Sequence, residues 1–251
     1  MPSWFRTIDG TRVPAVTAEE MAEVDRVAVE TVGLPLVAMM ENAGRSLART
    51  AHELPDGPVV VLAGGGGNGG GGLAAARHLH NHGVAVTVVI DREPTTLDGA
   101  TAIQWDILRE GGVPTRTSGE PDVADLMGSA AVTVDALVGY GLAGAPRGRT
   151  ADLIGAVGDD AETVVSLDIP SGVEATSGDR PGGSVTPDLT LTLALPKTGL
   201  DDRVGDLLLA DIGIPAVAYD HLDRAVPRVF DGDYRVPIHP VDRPADPAAG
   251  A

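Results

Sequence analysis

The 251-residue chain contains no cysteine and carries a formal net charge of −18. The absence of thiols excludes disulfides, thiolate zinc sites and a cysteine nucleophile, and the acidity argues against a nucleic-acid or anionic-membrane surface. Hydrophobic residues make up 43% and aromatics only 3%, so a core exists and must be built from Val, Leu, Ile and Ala. Of the eighteen basic residues, every one except Lys197 is arginine.

Met1 to Arg6 lacks the apolar centre of a secretion signal, and no window reaches transmembrane length, which predicts a cytoplasmic protein with no membrane partner. Residues 1–12 are expected to be flexible and residues 13–236 to form one domain. Residues 237–251, rich in Pro, Asp and Ala, are expected to be a disordered tail. Thr17-Ala18-Glu19-Glu20 reads as a capping box, and Met21, Val24, Val27, Ala28 and Val32 share a face of the helix it opens, which should run to about Thr31 and end at Gly33. Leu34-Pro35 opens a second helix. Its start, Leu36 to Met40, is apolar nearly all round, predicting burial on several sides and a homodimer; Glu41 and Asn42 read as an ordinary polar face.

Val59 to Leu62 predicts a buried strand and Leu73 to Leu79 a helix, and between them Gly64 to Gly72 places eight glycines around Asn68. Glycine runs usually make flexible linkers. This one joins a strand to its helix, so it reads as a bare-backbone loop whose N–H groups approach an anionic ligand. Its fit to G-x-G-x-x-G through Gly64, Gly66 and Gly69 is weak, because so many glycines make a match nearly unavoidable. Asn68 is either a polar ligand contact or a turn residue chosen for its tolerance of φ > 0.

Beyond the loop the helix should reach His82, followed by a strand over Val84 to Ile90, a helix over Leu97 to Glu110 and a short helix over Asp122 to Met127. A strand over Ala131 to Val134, a helix over Asp152 to Val157 and strands over Thr163 to Leu167, Leu189 to Leu195 and Asp206 to Ala210 complete the pattern. Near-continuous apolar strands alternating with helices predict a Rossmann-like three-layer α/β/α sandwich with a mostly parallel sheet.

Ligands of such sheets bind at the carboxyl ends of the strands, and here these ends carry the glycine loop, Asp91, Asp135 and Asp168. Asp91 lies about where a dinucleotide domain places its ribose-binding carboxylate, or it caps the turn ahead of Pro94. Asp135 leads into a second glycine-rich stretch, Gly139-Tyr140-Gly141-Leu142-Ala143-Gly144-Ala145. Asp168 opens the rigid turn Asp168-Ile169-Pro170-Ser171-Gly172, either exchanging a proton with a bound substrate or bonding the next backbone amides.

Taken together, these stretches resemble the YjeF N-terminal domain family, the NAD(P)H-hydrate epimerases. The matching segments are Val16 to Met21 with Asp25, Met40-Glu41-Asn42-Ala43-Gly44, the glycine loop into Leu79, Val134 to Leu137 with Gly139 and Gly141-Leu142, Leu167 to Gly172, and Pro196-Lys197 with Gly199-Leu200. The resemblance spans residues 13–215. It implies interconversion of the R and S forms of hydrated NADH or NADPH, with NAD(P)HX as a small nucleotide substrate, in a homodimer functionally paired with a separate dehydratase. It further implies that Asp168 is the catalytic acid/base and binds substrate. Gly67, Asn68, Gly69, Gly70 and Gly71 and the Gly139 to Ala145 stretch would also bind substrate, the latter around its phosphates. Asn68, Asp135 and Ser171 would ligate a potassium ion, for which oxygen ligands are apt.

One departure stands out. The family's loop usually reads Asn-Asn-Gly-Gly-Asp-Gly, whereas here Gly67 and Gly71 replace the first asparagine and the aspartate. A lost charged hydrogen bond is worth roughly 1.5–3 kcal/mol, so a non-catalytic nucleotide-binding or interaction module of the same fold is the alternative expectation. A third is a dehydrogenase using Asp91, for which no His or Lys is evidently placed to serve hydride transfer.

Overall fold

The computed structural model describes residues 4–241. The capping box forms as predicted. Thr17 Oγ1 accepts from the Glu20 N–H at 3.1 Å and Glu20 Oε2 from the Thr17 N–H at 2.8 Å, starting helix α1 (Ala18–Arg26). The chain continues as a π-helical turn over Val27–Val32 and stops at Gly33, whose φ of 83° is left-handed. Helix α2 (Leu36–His52) follows. Its apolar start is mostly consumed within the chain, since Met39 and Met40 are buried while Leu36 remains 42% exposed.

The apolar runs become β3 (Val59–Ala63), β4 (Val86–Ile90), β6 (Val132–Ala136), β7 (Val164–Leu167), β8 (Leu189–Leu193) and β9 (Asp206–Ala210), which, after β1 (Trp4–Thr7) and β2 (Arg12–Pro14), make most of the sheet. β5 (Thr115–Thr117) and β10 (Arg235–Pro240) complete it, in the order β2-β1-β10-β9-β8-β7-β6-β3-β4-β5. All pairings from β5 to β9 are parallel, and those from β9 through β10 and β1 to β2 are antiparallel. α2, α3 (Gly67–Asn81) and α4 (Gly99–Glu110) cover one face through Leu47, Leu73, Leu79 and Leu108, and α5 (Val123–Gly128) and α6 (Gly148–Asp160) cover the other through Met127, Leu153 and Val157. This is the expected three-layer sandwich. The strand order reverses between the parallel neighbours β3 and β6, so the crevice at their carboxyl ends is the topological switch point where such sheets hold ligands.

Three expectations need correction. Residues 4–12 are not loose: β1 and β2 form a hairpin that buries Phe5 and Val13. The expected tail begins inside β10, which pairs with β9 and β1 and buries Ile238, so residues 237–240 belong to the sheet; residues 1–3 and 242–251 lie outside the described residues.

The third correction concerns the glycine run, of which only Gly64 to Gly66 is loop; α3 begins at Gly67. Glycine in a helix costs about 0.5–1 kcal/mol relative to alanine, but here contact demands it. A Cβ on Gly69 would lie 1.7 Å from the Gly64 carbonyl oxygen, and one on Gly72 would lie 2.6 Å from Ala136 Cβ on β6. On the facing helix, Gly44 admits Ala74 in the same way, its would-be Cβ 2.5 Å from that of Ala74. The glycines let α3 press against α2 and the sheet.

Candidate functional site

At the switch point lies a cavity of about 690 Å³. From β3 and α3 it receives Gly66, Gly67, Asn68 and Gly71; from the loop after β6 it receives Gly139, Tyr140 and Gly141; from the end of β7, Asp168. Gly69 and Gly70 are buried behind it against Gly64 and Met40, while Leu142, Ala143, Gly144 and Ala145 lie outside its lining.

Asp168 is held in an uncommon backbone conformation, φ 68°, as the chain turns off β7. For a non-glycine residue this left-handed geometry costs of order 1–3 kcal/mol and persists only where surroundings enforce it. Here they do. Asp168 Oδ1 accepts from the Lys197 ammonium and, at 3.3 Å, from the Leu193 N–H; Oδ2 accepts from the Tyr140 N–H at 3.4 Å. Lys197, 1% exposed, also donates to the Leu193 carbonyl at 2.9 Å and lies 5.7 Å from the centre of the Tyr140 ring. The Tyr140 hydroxyl donates to Asp25 Oδ2 at 2.5 Å. Burial pushes the Asp25 carboxyl above its ordinary value, against the lowering effect of the Tyr140 hydrogen bond, and burial with nearby Asp25 pushes the Tyr140 phenol far up, so it stays protonated.

Asp135 and Ser171 form a separate knot beneath the loop. Asp135 Oδ1 accepts from Ser171 Oγ at 2.5 Å and the Leu137 N–H at 3.3 Å; Oδ2 accepts from Ser166 Oγ and the Ser171 N–H, both at 2.8 Å. The carboxylate is fully buried, its hydrogen-bond donors among the described residues are serine hydroxyls and backbone amides, and desolvation raises its pKa. Asn68 lies across the loop with both carboxamide heteroatoms buried and unpartnered. Asn68 Oδ1 and Asp168 Oδ2 each stand 3.3 Å from the point where a Cβ on Gly139 would lie, so a glycine lets the loop pass between them. Asn68 and Asp168 thus share one end of the cavity, and Val138, whose N–H donates to Ser171 Oγ at 2.9 Å, ties that end to the Asp135 knot.

Asp91 does not behave as a ribose ligand. It is 5% exposed, and its oxygens are taken by Thr150 Oγ1 at 2.6 Å and by Arg92 Nε and Nη2 at 2.8 and 3.3 Å. Asp25, Arg92 and Lys197 were not assigned roles from the sequence. Asp25 and Lys197 fall in the stretches that resemble the family, and Lys197 is the chain's sole lysine. The space at the two loop departures differs: a side chain at Gly67 would meet nothing within 4 Å, whereas one at Gly71 would meet Leu167 Cδ2 at 2.9 Å.

A doubly covered parallel sheet, a helix N-terminus and a strand-end carboxylate around a switch-point cavity define a Rossmann-type small-molecule site. The chain belongs to the family described as YjeF-related protein N-terminus, whose model matches residues 37–199. Its relatives include the NAD(P)H-hydrate epimerase of Dehalogenimonas lykanthroporepellens, 46% identical over 86% of this chain and 88% of that protein, and that of Rhodopirellula baltica, 33% identical over 81% and 86%. The "Bifunctional NAD(P)H-hydrate repair enzyme Nnr" of Hyperthermus butylicus is 40% identical over 81% of this chain, which spans 39% of that longer protein. In fold, the crystal structure of yeast ynu0 matches 90% of this chain and all of its own, with a TM-score of 0.79 at 22% identity.

Proposed function

We propose that this protein is an NAD(P)H-hydrate epimerase, the activity named for relatives covering most of both chains. The observation that carries the reading is Asp168, bent off β7 into the switch-point cavity with Lys197 at one oxygen and the Tyr140 amide at the other. The substrate's C6 hydroxyl sits next to the ring nitrogen. Asp168 gives it a proton, the nitrogen lone pair expels water, and a planar iminium forms. Water then adds to the opposite face and returns its proton to Asp168, so atoms and charge balance over the cycle. Lys197 holds Asp168 in place. Gly139 and Gly67 leave the ring room at the loop and helix edges.

A monovalent cation belongs to the same proposal, with Asn68, Asp135 and Ser171 as its ligands. Asn68's buried, unpartnered carboxamide supports the fit, and amide, carboxylate and hydroxyl oxygens suit a hard cation. A bound cation would supply positive charge beside buried Asp135.

The protein is proposed to act away from membranes; no helix among the described residues is long and apolar enough to cross one. The longer bifunctional relatives support functional pairing with a dehydratase. Homodimerisation retains as its apolar surface Leu36 with Val29 and Val32, each at least 37% exposed, and solution mass tests it. A second reading, binding without turnover, draws on Leu167 occupying the side-chain space at Gly71.

Chiral conversion of purified (R)-NADHX separates the two readings. Potassium-dependent conversion well above the spontaneous rate, reduced to that rate by Asp168→Asn, is expected. Nucleotide-induced thermal stabilisation with no conversion would establish the binding module instead.

A further inference from the structure

The strand order β5-β4-β3-β6-β7-β8 is the dinucleotide-binding order, with β3 as its first strand and β4 as its second. In that arrangement the group just beyond the second strand meets the ribose of the adenosine half. A carboxylate there bonds the 2′-hydroxyl, and an arginine accommodates a 2′-phosphate. Here β4 ends at Ile90 and is followed by Asp91-Arg92.

Asp91 is not free to take a hydroxyl, being buried and committed to Thr150 and Arg92. It serves as a mount. Two of the five guanidinium N–H groups point back at Asp91, and the plane lies over the turn between β3 and α3: a Cβ on Gly65 would fall 2.3 Å from Arg92 Cζ and 2.4 Å from Nη1. A side chain at Gly65 would displace the guanidinium from this place. Nη1 makes no hydrogen bond among the described residues, and Arg92 lines the same cavity as Asp168, at the end where α3 begins at Gly66–Gly67. The other lining arginine, Arg26, is spent on Glu23 and Glu30. In a chain of net charge −18, an oriented cation with donors to spare beside an uncapped helix N-terminus is a receptor for an anion.

We propose that Arg92 receives the 2′-phosphate of the substrate's adenosine ribose, so that the protein prefers hydrated NADPH to hydrated NADH. This rests on the epimerase reading for its substrate, but its test is separable. Arg92→Gln is expected to lower the ratio of kcat/KM for NADPHX to that for NADHX about ten- to a hundredfold. Arg92→Lys, which keeps a charge beside Asp91 but loses the fork, is expected to fall between. Independently of turnover, adenosine 2′,5′-bisphosphate should bind the wild type at least tenfold more tightly than 5′-AMP, and Arg92→Gln should erase that difference while keeping a cooperative melt. An equal loss on both hydrated cofactors would place Arg92 on a phosphate they share and overturn the assignment, as would equal binding of the two adenosine nucleotides by the wild type. Preferential, Arg92-dependent binding of the bisphosphate without epimerisation would uphold the subsite and sink the epimerase reading instead.

Discussion

β6 and β7 are adjacent strands, and each delivers a buried carboxylate at its carboxyl end, Asp135 and Asp168. Their surroundings differ in kind. Asp135 is wrapped by two serine hydroxyls and two backbone amides, all neutral donors, and burial raises its pKa. Asp168 has an ammonium on one oxygen and faces the cavity with the other. The knot around Asp135 ties the 137–141 loop to the Pro170-Ser171 turn. The cluster around Asp168 has charge in balance and one oxygen turned towards space for a ligand.

Lys197→Met breaks the comparison most forcefully. It leaves Asp168 with only weak amide donors in a site where the lysine is 1% exposed. Removing one partner of a buried ion pair costs about 3–5 kcal/mol, so a loss of that size is expected in urea denaturation at neutral pH. The double variant Asp168→Asn with Lys197→Met should recover a good part of it, because no orphaned charge remains. If Lys197→Met costs under about 1 kcal/mol, Lys197 does not balance Asp168 and the contrast collapses.

The neutral knot yields a smaller effect. Asp135→Asn puts an amide group where donors already point, and a cost of about 1.5–3 kcal/mol is expected from the lost charged hydrogen bonds. The same variant bears on the cation. Potassium should raise the melting temperature of the wild type more than sodium at equal ionic strength, and Asp135→Asn should abolish the difference. An unchanged potassium effect would remove Asp135 from the ligand set.

The two regions were unequally legible in the sequence. Asp135 and Asp168 stand at strand ends, and strand ends follow from apolar runs, so topology gathers these two; Asn68 and Ser171 were singled out as ligands by the family resemblance. Lys197 and Asp25 reach the site across long sequence separations, Lys197 to Asp168 and Asp25 to Tyr140, and no local pattern encodes such a meeting. The glycine run misled for another reason. Backbone propensity opposes helix over Gly67 to Gly72, but propensity is a weak prior beside packing, and the approach of α3 to Gly64 and Ala136 leaves no room for side chains at Gly69 and Gly72. β1, β2 and β10 were missed because short strands with mixed polarity carry too little periodicity to distinguish them from termini.

Asp25 supplies the smallest and most diagnostic test, because it is a third carboxylate of the same neighbourhood with a phenol as its only hydrogen-bond partner among the described residues. Burial holds its folded pKa above 3.8, outweighing the Tyr140 hydrogen bond and the Lys197 charge. A carboxyl with a raised folded pKa takes up its proton more readily in the folded state than in the unfolded one. Its burden on stability is therefore absent below the unfolded value, grows as pH rises through the folded value, and is complete at neutral pH. Asp25→Asn keeps an acceptor for the Tyr140 hydroxyl and removes that burden. A gain within about 1 kcal/mol is expected at pH 7, shrinking towards zero as pH falls below 3.8, read as urea midpoints across the range. A loss at pH 7 that disappears in acid would show that the Asp25 charge is wanted in the folded protein, as a counter-ion for Lys197, and would join all three carboxylates into one electrostatic unit.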